Sequence, residues 1–478
     1  MIFLIVFSVI ILTAILVGVY NILRPLQNNF SYMGEVHYLE DDDIDFIHDL
    51  TYLKDEKMVV EQVIFQEIFK LIKEAEKFIL IDFFLFNRDS ADHETSVDLT
   101  SQLTDLLVEK KTLNPKIEIN FITDPINNFY GSYKSPHIQK LKTVGVNLIE
   151  TNLSRLRDSN PLYSGFWRAY FQWLGVSGCG WINHPFSNKD HKVTVRSLLK
   201  AFNSKANHRK VITADSHRSM VSIVTSANPH NASSLNSNIG FKIKGNIWQD
   251  ILITEQAVAE VSGSRIEKPA LDNSFKAREG GVISVQLLTE GKIRQALLSD
   301  INSSKKGGEI NITMFYISDR KIVRSLVEAS KRGVEIKIVL DPNKHAFGRE
   351  KGGIPNRQVA YELNRKTEGR IKIRWFDTHG EQFHTKMSII RDIDSVVVYG
   401  GSANLSRRNI GDFNLETDVR VKAKTGTRFT NKVTEYFDSI WMNQDGEFTI
   451  DFEEKYKEKS FFKYLLYRFQ ECSGISTF

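Results

Sequence analysis

The amino-acid sequence predicts an α/β protein of two similar halves, each a mixed sheet flanked by helices, around one shared central site. A transmembrane helix is predicted to precede them. Three observations predict this fold. Short apolar or β-branched runs alternate with helical periodicities along most of the chain. The elements of the second half follow the same order as those of the first. The first 20 residues contain no charged side chain.

The composition is that of an ordinary globular protein and excludes disorder over most of the chain. Of the 478 residues, 41% are hydrophobic and 25% are charged, and the length suffices for two or more domains. The formal net charge of +5 is mild, so it permits an anionic substrate or a membrane without requiring nucleic acid. Cys179 and Cys472 are the only cysteines, which excludes a disulfide framework and a cysteine-based metal site.

Residues 1–22 are predicted to be an uncleaved, single-pass transmembrane anchor. The uncharged run matches the roughly 20 residues that a helix needs to cross the hydrocarbon core. A cleavable signal peptide would show a basic region first and a small-residue cleavage site afterwards, and the sequence has neither pattern. Arg24 on the C-terminal flank favours a cytoplasmic catalytic body.

The first half is assigned to residues 45–265. Apolar residues at helical spacing predict a helix over 57–75. Residues 77–86 are apolar nearly throughout, which is typical of a strand in the middle of a covered sheet. The next predicted elements are a helix over 95–111, a strand over 117–122, another helix and a strand over 146–149.

The second half is assigned to residues 280–445 and repeats this order. Asp341-Pro342 follows its second strand, as Asp124-Pro125 follows the strand over 117–122. The predicted elements are helices over 292–303, 320–331 and 355–366 and strands over 309–316, 334–340 and 371–376.

Each half also carries the same polar pattern, in which a histidine is followed two residues later by lysine and twenty residues later by asparagine. The matching positions are His208, Lys210, Ser226 and Asn228 in the first half and His384, Lys386, Ser402 and Asn404 in the second. Apolar runs predict an outgoing and a returning strand in each copy, at 211–213 with 220–224 and at 387–390 with 396–399. Residues two apart on a strand point the same way, so histidine and lysine share a cleft.

Two imidazoles, two ammonium groups and two carboxamides around one point suit a phosphodiester. The lysine and asparagine donors, with the two serines, are predicted to hold the non-bridging oxygens and to offset charge in the transition state. One histidine attacks phosphorus to give a phosphohistidine, and the other protonates the leaving oxygen. Imidazole suits both roles because its unperturbed pKa is about 6.5. We expect this chemistry to need no metal and no other cofactor.

With these motifs the sequence resembles the phospholipase D superfamily, whose H-x-K-x4-D motif occurs twice in each active site. His208, Lys210 and Asp215 match it in full. In the second copy Arg391 stands at the aspartate position and Asp392 follows one place later. The resemblance implies that Asp215 and Asp392 support the site, and that each half is phospholipase-D-like.

The resemblance also implies an acidic partner for the histidine ring, about thirty residues after it. Glu416 lies thirty-two residues after His384 and fits that role, whereas Gly240 stands at the same offset from His208. The first ring is then oriented by Asp215 or by a residue from elsewhere. Family precedent makes His208 the nucleophile, and Glu416 makes His384 its rival.

The first half contains an insertion at about 151–200. Asp124 and His208 are 84 residues apart, whereas Asp341 and His384 are 43 apart. Aromatic residues at helical spacing between 166 and 174, in a stretch without acids, favour a lipid–water interface, or alternatively cap the core of the first half. The segment 446–478 is a second basic and aromatic helix candidate, which either rests on a membrane or packs against the body.

The resemblance is strongest over 285–442 and is closest to bacterial, membrane-anchored members that are cardiolipin-synthase-like or phospholipase-D-like. It implies a phospholipid substrate at the bacterial cell membrane and transfer of a phosphatidyl group to an alcohol or to water. The basic loop 344–357 is predicted to contact lipid phosphate. His379 and Glu381 either line the cleft or close their loop.

Two alternatives have other motivations. A superfamily nuclease would use the same chemistry, but no long Lys/Arg stripe with stacking aromatics supports a nucleic-acid partner. A catalytically impaired membrane scaffold is motivated by Arg391 and Gly240.

Overall fold

The computed structural model describes residues 1–88, 97–176, 178–186, 191–269, 280–346, 349–350, 352–476 and 478 of the chain. In chain order the strands are β1 (Met33–Leu39), β2 (Ile44–Lys54), β3 (Lys57–Glu61), β4 (Phe78–Phe83), β5 (Glu118–Thr123), β6 (Asn147–Glu150), β7 (Ile182–Asn183), β8 (Lys192–Val193), β9 (Lys210–Ser216), β10 (Ser219–Thr225), β11 (Asn238–Lys244), β12 (Ile283–Thr289), β13 (Glu309–Met314), β14 (Glu335–Leu340), β15 (His345–Ala346), β16 (Arg349–Glu350), β17 (Ile371–Phe376), β18 (Lys386–Arg391), β19 (Ser395–Gly401), β20 (Thr417–Lys424) and β21 (Thr449–Asp451). The α-helices are α1 (Ile2–Leu23), α2 (Ile64–Glu74), α3 (Leu99–Leu113), α4 (Pro136–Thr143), α5 (Pro161–Phe166), α6 (Val195–Ala201), α7 (Ile247–Val261), α8 (Gly291–Ser303), α9 (Arg320–Lys331), α10 (Asn356–Lys366), α11 (Arg407–Ile410), α12 (Arg428–Met442) and α13 (Phe461–Ser473).

The first sheet has the strand order β3-β2-β11-β10-β9-β4-β5-β6. The pairs β4–β5 and β5–β6 are parallel and are joined by crossovers through α3 and α4, as parallel neighbours require. The other neighbouring pairs are antiparallel. The sheet is therefore mixed, with its parallel strands at one side.

The second sheet has the order β1-β12-β20-β19-β18-β13-β14-β17-β21. Its strands from β12 to β17 repeat the arrangement of β2 to β6 in the first sheet, including two parallel pairs at the same side. This confirms the predicted repeat of two mixed sheets flanked by helices. The edge strands β1 and β21 come from outside residues 280–445, so the second sheet draws on more of the chain than the predicted boundaries contain.

Helix α9 illustrates how an apolar face and a polar cap position a helix. In α9 the face formed by Ile322, Val323 and Leu326 is buried, and Asp319 accepts hydrogen bonds from the backbone N–H groups of Lys321 and Ile322. Burying each such aliphatic side chain stabilises the fold by roughly 1.5–3 kcal/mol. Strand β4 is buried at every position, as predicted for a strand covered on both faces.

The predicted helix over 57–75 is wrong in its first part. Residues 57–61 form strand β3, because Asp55 and Glu56 adopt positive φ angles and turn the chain back on β2 as a hairpin. Helix α2 begins at Ile64, where the Asp49 carboxylate accepts hydrogen bonds from the N–H groups of Val63 and Ile64.

The two sheets share one apolar core. Ile239 and Phe241 of the first half belong to the same buried cluster as Met387 and Val398 of the second. The approach is close, since a Cβ atom at Gly400 would lie 2.6 Å from the Phe241 ring. The beginnings of β9 and β18 are thereby brought to a common interface between the halves.

Helix α1 stands apart in composition. It is 22 residues long with a mean hydropathy of 3.1 over its most apolar window, so its length and composition suffice to cross a membrane.

Candidate active site

Both predicted histidines lie in segments where the chain bridges the two halves. The His208 N–H donates to the carbonyl of Leu415 at 2.9 Å, and the Ser237 N–H donates to the carbonyl of Gln382 at 3.0 Å. Asn207 pairs with Leu415 and Ser237 pairs with Phe383 as matching parallel bridges. Each histidine therefore enters the interface beside a segment of the other half.

The aspartates of the two Asp-Pro sequences hold these two segments in place. Asp124 Oδ2 accepts a hydrogen bond from the N–H of Asn207 at 2.8 Å, and Asp341 Oδ2 accepts one from the N–H of Phe383 at 2.9 Å. Each aspartate thus holds the residue that precedes a predicted catalytic histidine. The sequence revealed the pair as counterparts but gave no role for them.

The two lysines are buried and identically placed. Lys210 Nζ donates to the carbonyl of His208 at 2.6 Å, and Lys386 Nζ donates to the carbonyl of His384 at 2.9 Å. Burial lowers the pKa of Lys210 to about 7, although Glu416 opposes the shift. Burial lowers the pKa of Lys386 well below its usual range, and Lys210 lowers it further. The positive charge of Lys210, in the first half, thus disfavours the charged form of Lys386, in the second.

A phenylalanine ring packs against each histidine–lysine pair. The Phe84 ring centroid lies 4.9 Å from that of His208 and 5.3 Å from Lys210 Nζ. In the second half Phe315 lies 5.0 Å from His384 and 5.5 Å from Lys386 Nζ. Sequence reasoning missed these rings. Their signal was their shared position, one residue after the end of β4 and of β13.

The predicted pairing of Glu416 with His384 is wrong. Glu416 Oε1 lies 2.9 Å from Nδ1 of His208, in the other half of the chain. Ser402 Oγ donates to Glu416 Oε2 at 2.5 Å, and Asn409 Nδ2 also donates to the carboxylate. The carboxylate crosses the interface because Leu415 pairs with Asn207, which sets Glu416 beside the histidine of the opposite motif.

The His384 ring faces a neutral amide instead. Its Nδ1 lies 3.1 Å from Asn238 Oδ1, which also accepts a hydrogen bond from Ser226 Oγ at 3.1 Å. Asn238 is the structural counterpart of Glu416, because each follows a bridging residue and accepts from the serine of its own half. Gly240 therefore corresponds to Asp418. Counting the same number of residues from each histidine misaligned the two copies, because the first copy is two residues shorter between its motif asparagine and Asn238.

The serines lie behind the rings, contrary to their prediction as phosphate ligands. Each hydroxyl already donates to Glu416 or Asn238, and each accepts from a backbone N–H, at 2.9 Å from Thr417 and 3.0 Å from Ile239. A hydroxyl has one proton, so neither serine retains a donor for phosphate. The backbone of Ser402 opposes the lowering of the His208 pKa, and the backbone of Ser226 opposes that of the His384 pKa.

Both asparagines of the motif are buried at the interface. Asn228 Oδ1 accepts from the N–H of Leu85 at 3.2 Å, which fixes the amide and keeps its Nδ2 as the donor. Asn404 Oδ1 is buried without a hydrogen-bond partner among the described residues. Their roles as phosphate ligands stay predictions.

The motif aspartates lie at the far ends of the strands, away from the histidines. Asp215 accepts hydrogen bonds from the N–H groups of Glu76, Lys77 and Phe78 at 3.0, 2.9 and 2.7 Å and so anchors the start of β4. Seven residues of strand, at about 3.3 Å each, separate it from His208 by roughly 20 Å. Of the two alternatives for orienting the first ring, Asp215 is therefore wrong, and Glu416 is the residue from elsewhere.

In the second half the same strand end is held by an ion pair. Arg391 Nη1 lies 3.4 Å from Glu309 Oε2, and the two residues are paired across β18 and β13. Asp392 is exposed beyond the strand end and lies outside the site, contrary to its prediction as a site residue. The arginine thus substitutes structurally for the aspartate that the motif would supply.

Electrostatics favour neutral rings in the absence of substrate. Burial lowers the pKa of His208 and of His384 well below the usual value, and both lysines lower each pKa further. Burial raises the pKa of Glu416 to about 7, against the effect of Lys210. A bound phosphodiester anion would offset the lysine charges and raise the pKa values of the rings.

A buried network of charged side chains adjoins the His208–Glu416 pair. Arg209 contacts Glu255 at 3.1 Å and Glu290 at 2.8 Å, and its side chain is fully buried. Glu290 Oε1 also accepts from the N–H of Glu416 at 3.0 Å. Sequence reasoning missed Arg209 because its counterpart in the second motif is the uncharged Thr385.

The loop before the second motif is only partly described. Of the predicted basic loop 344–357, residues 347, 348 and 351 and the side chains at 345, 346, 349 and 350 lie outside the described residues. Lys344 Nζ donates to the carbonyl of Thr378 at 2.6 Å. Glu381 accepts from the N–H of His379 at 3.0 Å, which fits the loop-closing alternative. In the described part of the chain no three His, Cys, Asp or Glu side chains are grouped to hold a metal ion.

Comparison with known proteins agrees with this architecture. Residues 297–441 match the family model of the cardiolipin synthase, PLD-like domain. This part of the chain is similar to phospholipase-D-like domains. The predicted resemblance to the phospholipase D superfamily is thus confirmed, and the match supports a phosphodiesterase or phosphatidyltransferase role.

One solved structure extends the likeness of fold to both halves. Phosphatidylserine synthase from Haemophilus influenzae Rd KW20 matches with a TM-score of 0.55 at 12% identity, over 94% of this chain and 97% of that one. Polyphosphate kinase from Porphyromonas gingivalis matches with a TM-score of 0.48 at 12% identity, over 89% and 52% of the two chains. The phospholipase D family member Nuc from Salmonella typhimurium matches with a TM-score of 0.26 at 22% identity, over 35% and 97%. No curated protein matches this chain by sequence.

Proposed function

We propose that the protein is a membrane-anchored enzyme that cleaves a phospholipid phosphodiester and passes the phosphatidyl group through His208 to an alcohol or to water. The observation that carries the proposal is that the two imidazoles have different partners: Glu416 lies 2.9 Å from His208 Nδ1, whereas His384 Nδ1 faces the neutral amide of Asn238. The cardiolipin-synthase-like family match and the phosphatidylserine synthase fold support a phospholipid substrate.

The carboxylate suits His208 to nucleophilic attack. When Nε2 bonds to phosphorus, the ring gains positive charge, and Glu416 stabilises that charge through Nδ1–H. The bond from phosphorus to the leaving alcohol breaks as the new P–N bond forms. Because burial and the lysines keep the free ring neutral, its lone pair is available at neutral pH.

The amide suits His384 to proton transfer. Asn238 Oδ1 fixes the ring orientation without the added stabilisation that a carboxylate would give to an imidazolium. Once the bound phosphodiester anion has raised the pKa of His384, the ring takes up a proton, which it then releases to the leaving oxygen more readily than a ring paired with a carboxylate would. In the second step the neutral ring removes a proton from water or an alcohol, whose oxygen attacks phosphorus and breaks the P–N bond.

Two lysines and two asparagines are proposed to bind the phosphodiester anion. Lys210 and Lys386 lie close enough to lower the pKa of both imidazoles, so an anion between them relieves mutual repulsion. Asn228 and Asn404 would add neutral donors to the non-bridging oxygens. The two features that motivated the scaffold alternative have structural explanations, since Arg391 pairs with Glu309 and Gly240 corresponds to Asp418.

Membrane anchorage is proposed for α1. Its length and composition suffice to span a bilayer, and most of its large apolar side chains are exposed. The cytoplasmic placement of the catalytic body stays a prediction from Arg24.

The test uses the full chain in detergent, with phosphatidylglycerol, phosphatidylcholine and single-stranded DNA as separate substrates. Cardiolipin formed from phosphatidylglycerol supports transfer, and phosphatidic acid supports hydrolysis. His208→Ala and His384→Ala should both abolish turnover, while His379→Ala, in the neighbouring loop, retains it. Cleavage of DNA alone, or full activity in both histidine variants, would contradict the proposal.

A further inference from the structure

The aromatic insertion packs directly against α1. A Cβ atom at Gly165 would lie 2.3 Å from the carbonyl oxygen of Ala14, and one at Gly18 would lie 3.1 Å from that of Pro161. Tyr170 Oη donates to the carbonyl of Ile10 at 3.0 Å. The segment therefore runs antiparallel along α1, and small residues allow the close approach that is typical of paired helices in membranes.

The segment is helical from Pro161 to Leu174. Helix α5 continues into a π-helix over Trp167–Phe171 and a 3₁₀ turn over Gln172–Leu174. Helical backbone satisfies most of its own hydrogen-bonding groups, which is the condition for entering hydrocarbon. Gln172 Nε2 donates to the carbonyl of Arg168 at 2.6 Å, so this polar side chain is also paired within the segment.

The side of the segment that α1 leaves uncovered is apolar. Its exposed side chains are Leu162, Tyr170, Phe171, Trp173 and Leu174, and Trp173 is 78% exposed. The single charged side chain, Arg168, is buried and pairs with Asp158 at 2.7 Å. No charge of the segment therefore opposes contact with acyl chains.

The contacts place this apolar side at bilayer depth. Ile10 precedes the end of α1 at Leu23 by 13 residues. At 1.5 Å per residue the Tyr170 contact lies roughly 20 Å below the helix end. The hydrocarbon core is about 30 Å thick. A spanning α1 would therefore carry the segment beyond the headgroups.

The residues just before the segment, Asp158 and Ser159, connect it to the candidate active site. Asp158, which holds Arg168, also forms an ion pair with Lys205, three residues before His208. Helix α13 ends beside the same residues, since Gly474 lies against Ser159. Exposed phenylalanines on α13, at positions 461, 462 and 469, extend the apolar surface.

We propose that residues 161–174 are a second membrane-embedded element, whose apolar side contacts lipid acyl chains beside α1 and holds the catalytic cleft at the bilayer surface. This inference rests on the membrane anchorage proposed for α1. It assigns the lipid bilayer as the partner of the apolar side. The segment also contacts α6 of the first half, where Tyr163 Oη donates to the carbonyl of Leu199 at 2.5 Å and Arg196 Nη1 donates to that of Leu174 at 2.6 Å. The role as a cap on the core of the first half is the alternative that the test decides.

The test measures depth in vesicles of mixed phosphatidylcholine and phosphatidylglycerol. The native thiols are removed with Cys179→Ser and Cys472→Ser, and a spin label is attached in turn to Trp173→Cys, Leu12→Cys and Ile393→Cys. Position 12 reports α1, and position 393 is an exposed apolar control on the body. The measured quantity is the accessibility of each label to oxygen relative to a water-soluble nickel chelate. Thermal unfolding of each variant verifies the fold without reference to activity.

The proposal predicts that position 173 has the oxygen-rich accessibility of position 12, while position 393 has that of a label in water. A label at 173 at or outside the phosphate level, with position 12 in hydrocarbon, overturns this inference and leaves the anchor intact. Both labels in water overturn the inference and the anchor together. Turnover of a water-soluble phosphodiester by the same samples reports the proposed chemistry separately.

Discussion

Glu416 in the second half lies 2.9 Å from the Nδ1 of His208 in the first, so each half is incomplete without the other. The opposite pairing joins His384 to Asn238 at 3.1 Å. The two halves are similar in fold but differ at this one pair of positions, where a carboxylate faces one ring and an amide faces the other. The predictions that follow test whether this difference separates the roles of the rings.

Replacing the carboxylate should impair the nucleophile. Glu416→Gln keeps the shape of the side chain but removes the charge that stabilises the phosphorylated His208 ring, so we expect kcat to fall by about 10²–10⁴-fold. Steady-state kinetics on the best phospholipid substrate measure the loss. Thermal unfolding controls for the buried partners Asn409 and Ser402, and undiminished kcat would show that the carboxylate has no part in the reaction.

Adding a carboxylate to the other ring should change the pH profile. Asn238→Asp places a negative charge beside His384, which should raise the pKa of its ring by about 1–3 units. The proton donor then stays protonated to higher pH, so the alkaline limb of the kcat profile moves upward. Asn364→Asp adds the same charge on α10, outside the site, and should leave the profile unchanged. An unmoved limb in Asn238→Asp would argue against His384 as the acid.

Anion binding should be coupled to proton uptake. Burial lowers the pKa of Lys210 to about 7 in the free protein, and a phosphodiester anion beside it should raise that pKa. Above pH 7 binding therefore takes up a proton at Lys210, and affinity should weaken with rising pH by about tenfold per unit for each proton taken up. Calorimetry with dimethyl phosphate, in buffers of different ionisation enthalpy, measures the uptake. Lys210→Met should bind more weakly and take up fewer protons; equal uptake in both proteins would assign it to other groups.

Much of the fold was accessible from the sequence because its signals are local. The strand over 371–376 and the helix over 320–331 were predicted at their observed bounds, since apolar periodicity and caps act within a few residues. The hairpin at 57–61 was missed because its apolar residues also satisfy a helical spacing. Its deciding feature is the positive φ at Asp55 and Glu56.

The site was harder to predict because its pairings cross between the halves. The motif residues His208 and His384 were recognisable, but the assignment of Glu416 followed sequence offset, whereas the fold pairs it across the interface. The family pattern did not identify Asn238, because this residue is an amide at a position where the family has an acid. Phe84 and Phe315 become visible only when the equivalent strands are superposed.

Asp215 should matter for stability and not for chemistry. Asp215→Ala leaves three backbone N–H groups without their acceptor at the start of β4, so we expect a loss of about 3 kcal/mol in the free energy of unfolding. The kcat of the folded fraction should be unchanged. Arg391→Ala, at the equivalent and partly exposed ion pair, should cost less than about 1 kcal/mol. Denaturant unfolding measures both, and a fall in kcat at full stability would return Asp215 to the site.

The most direct test locates the covalent intermediate. The full chain is mixed with phospholipid, quenched within a single turnover, and digested under alkaline conditions that preserve phosphohistidine, and the adduct is mapped by mass spectrometry. The account predicts a phosphatidyl group on His208 in the unaltered protein and none in His208→Ala. In His384→Ala the adduct on His208 accumulates if the second step slows more than the first. An adduct on His384 in the unaltered protein would contradict the assignment of the two rings.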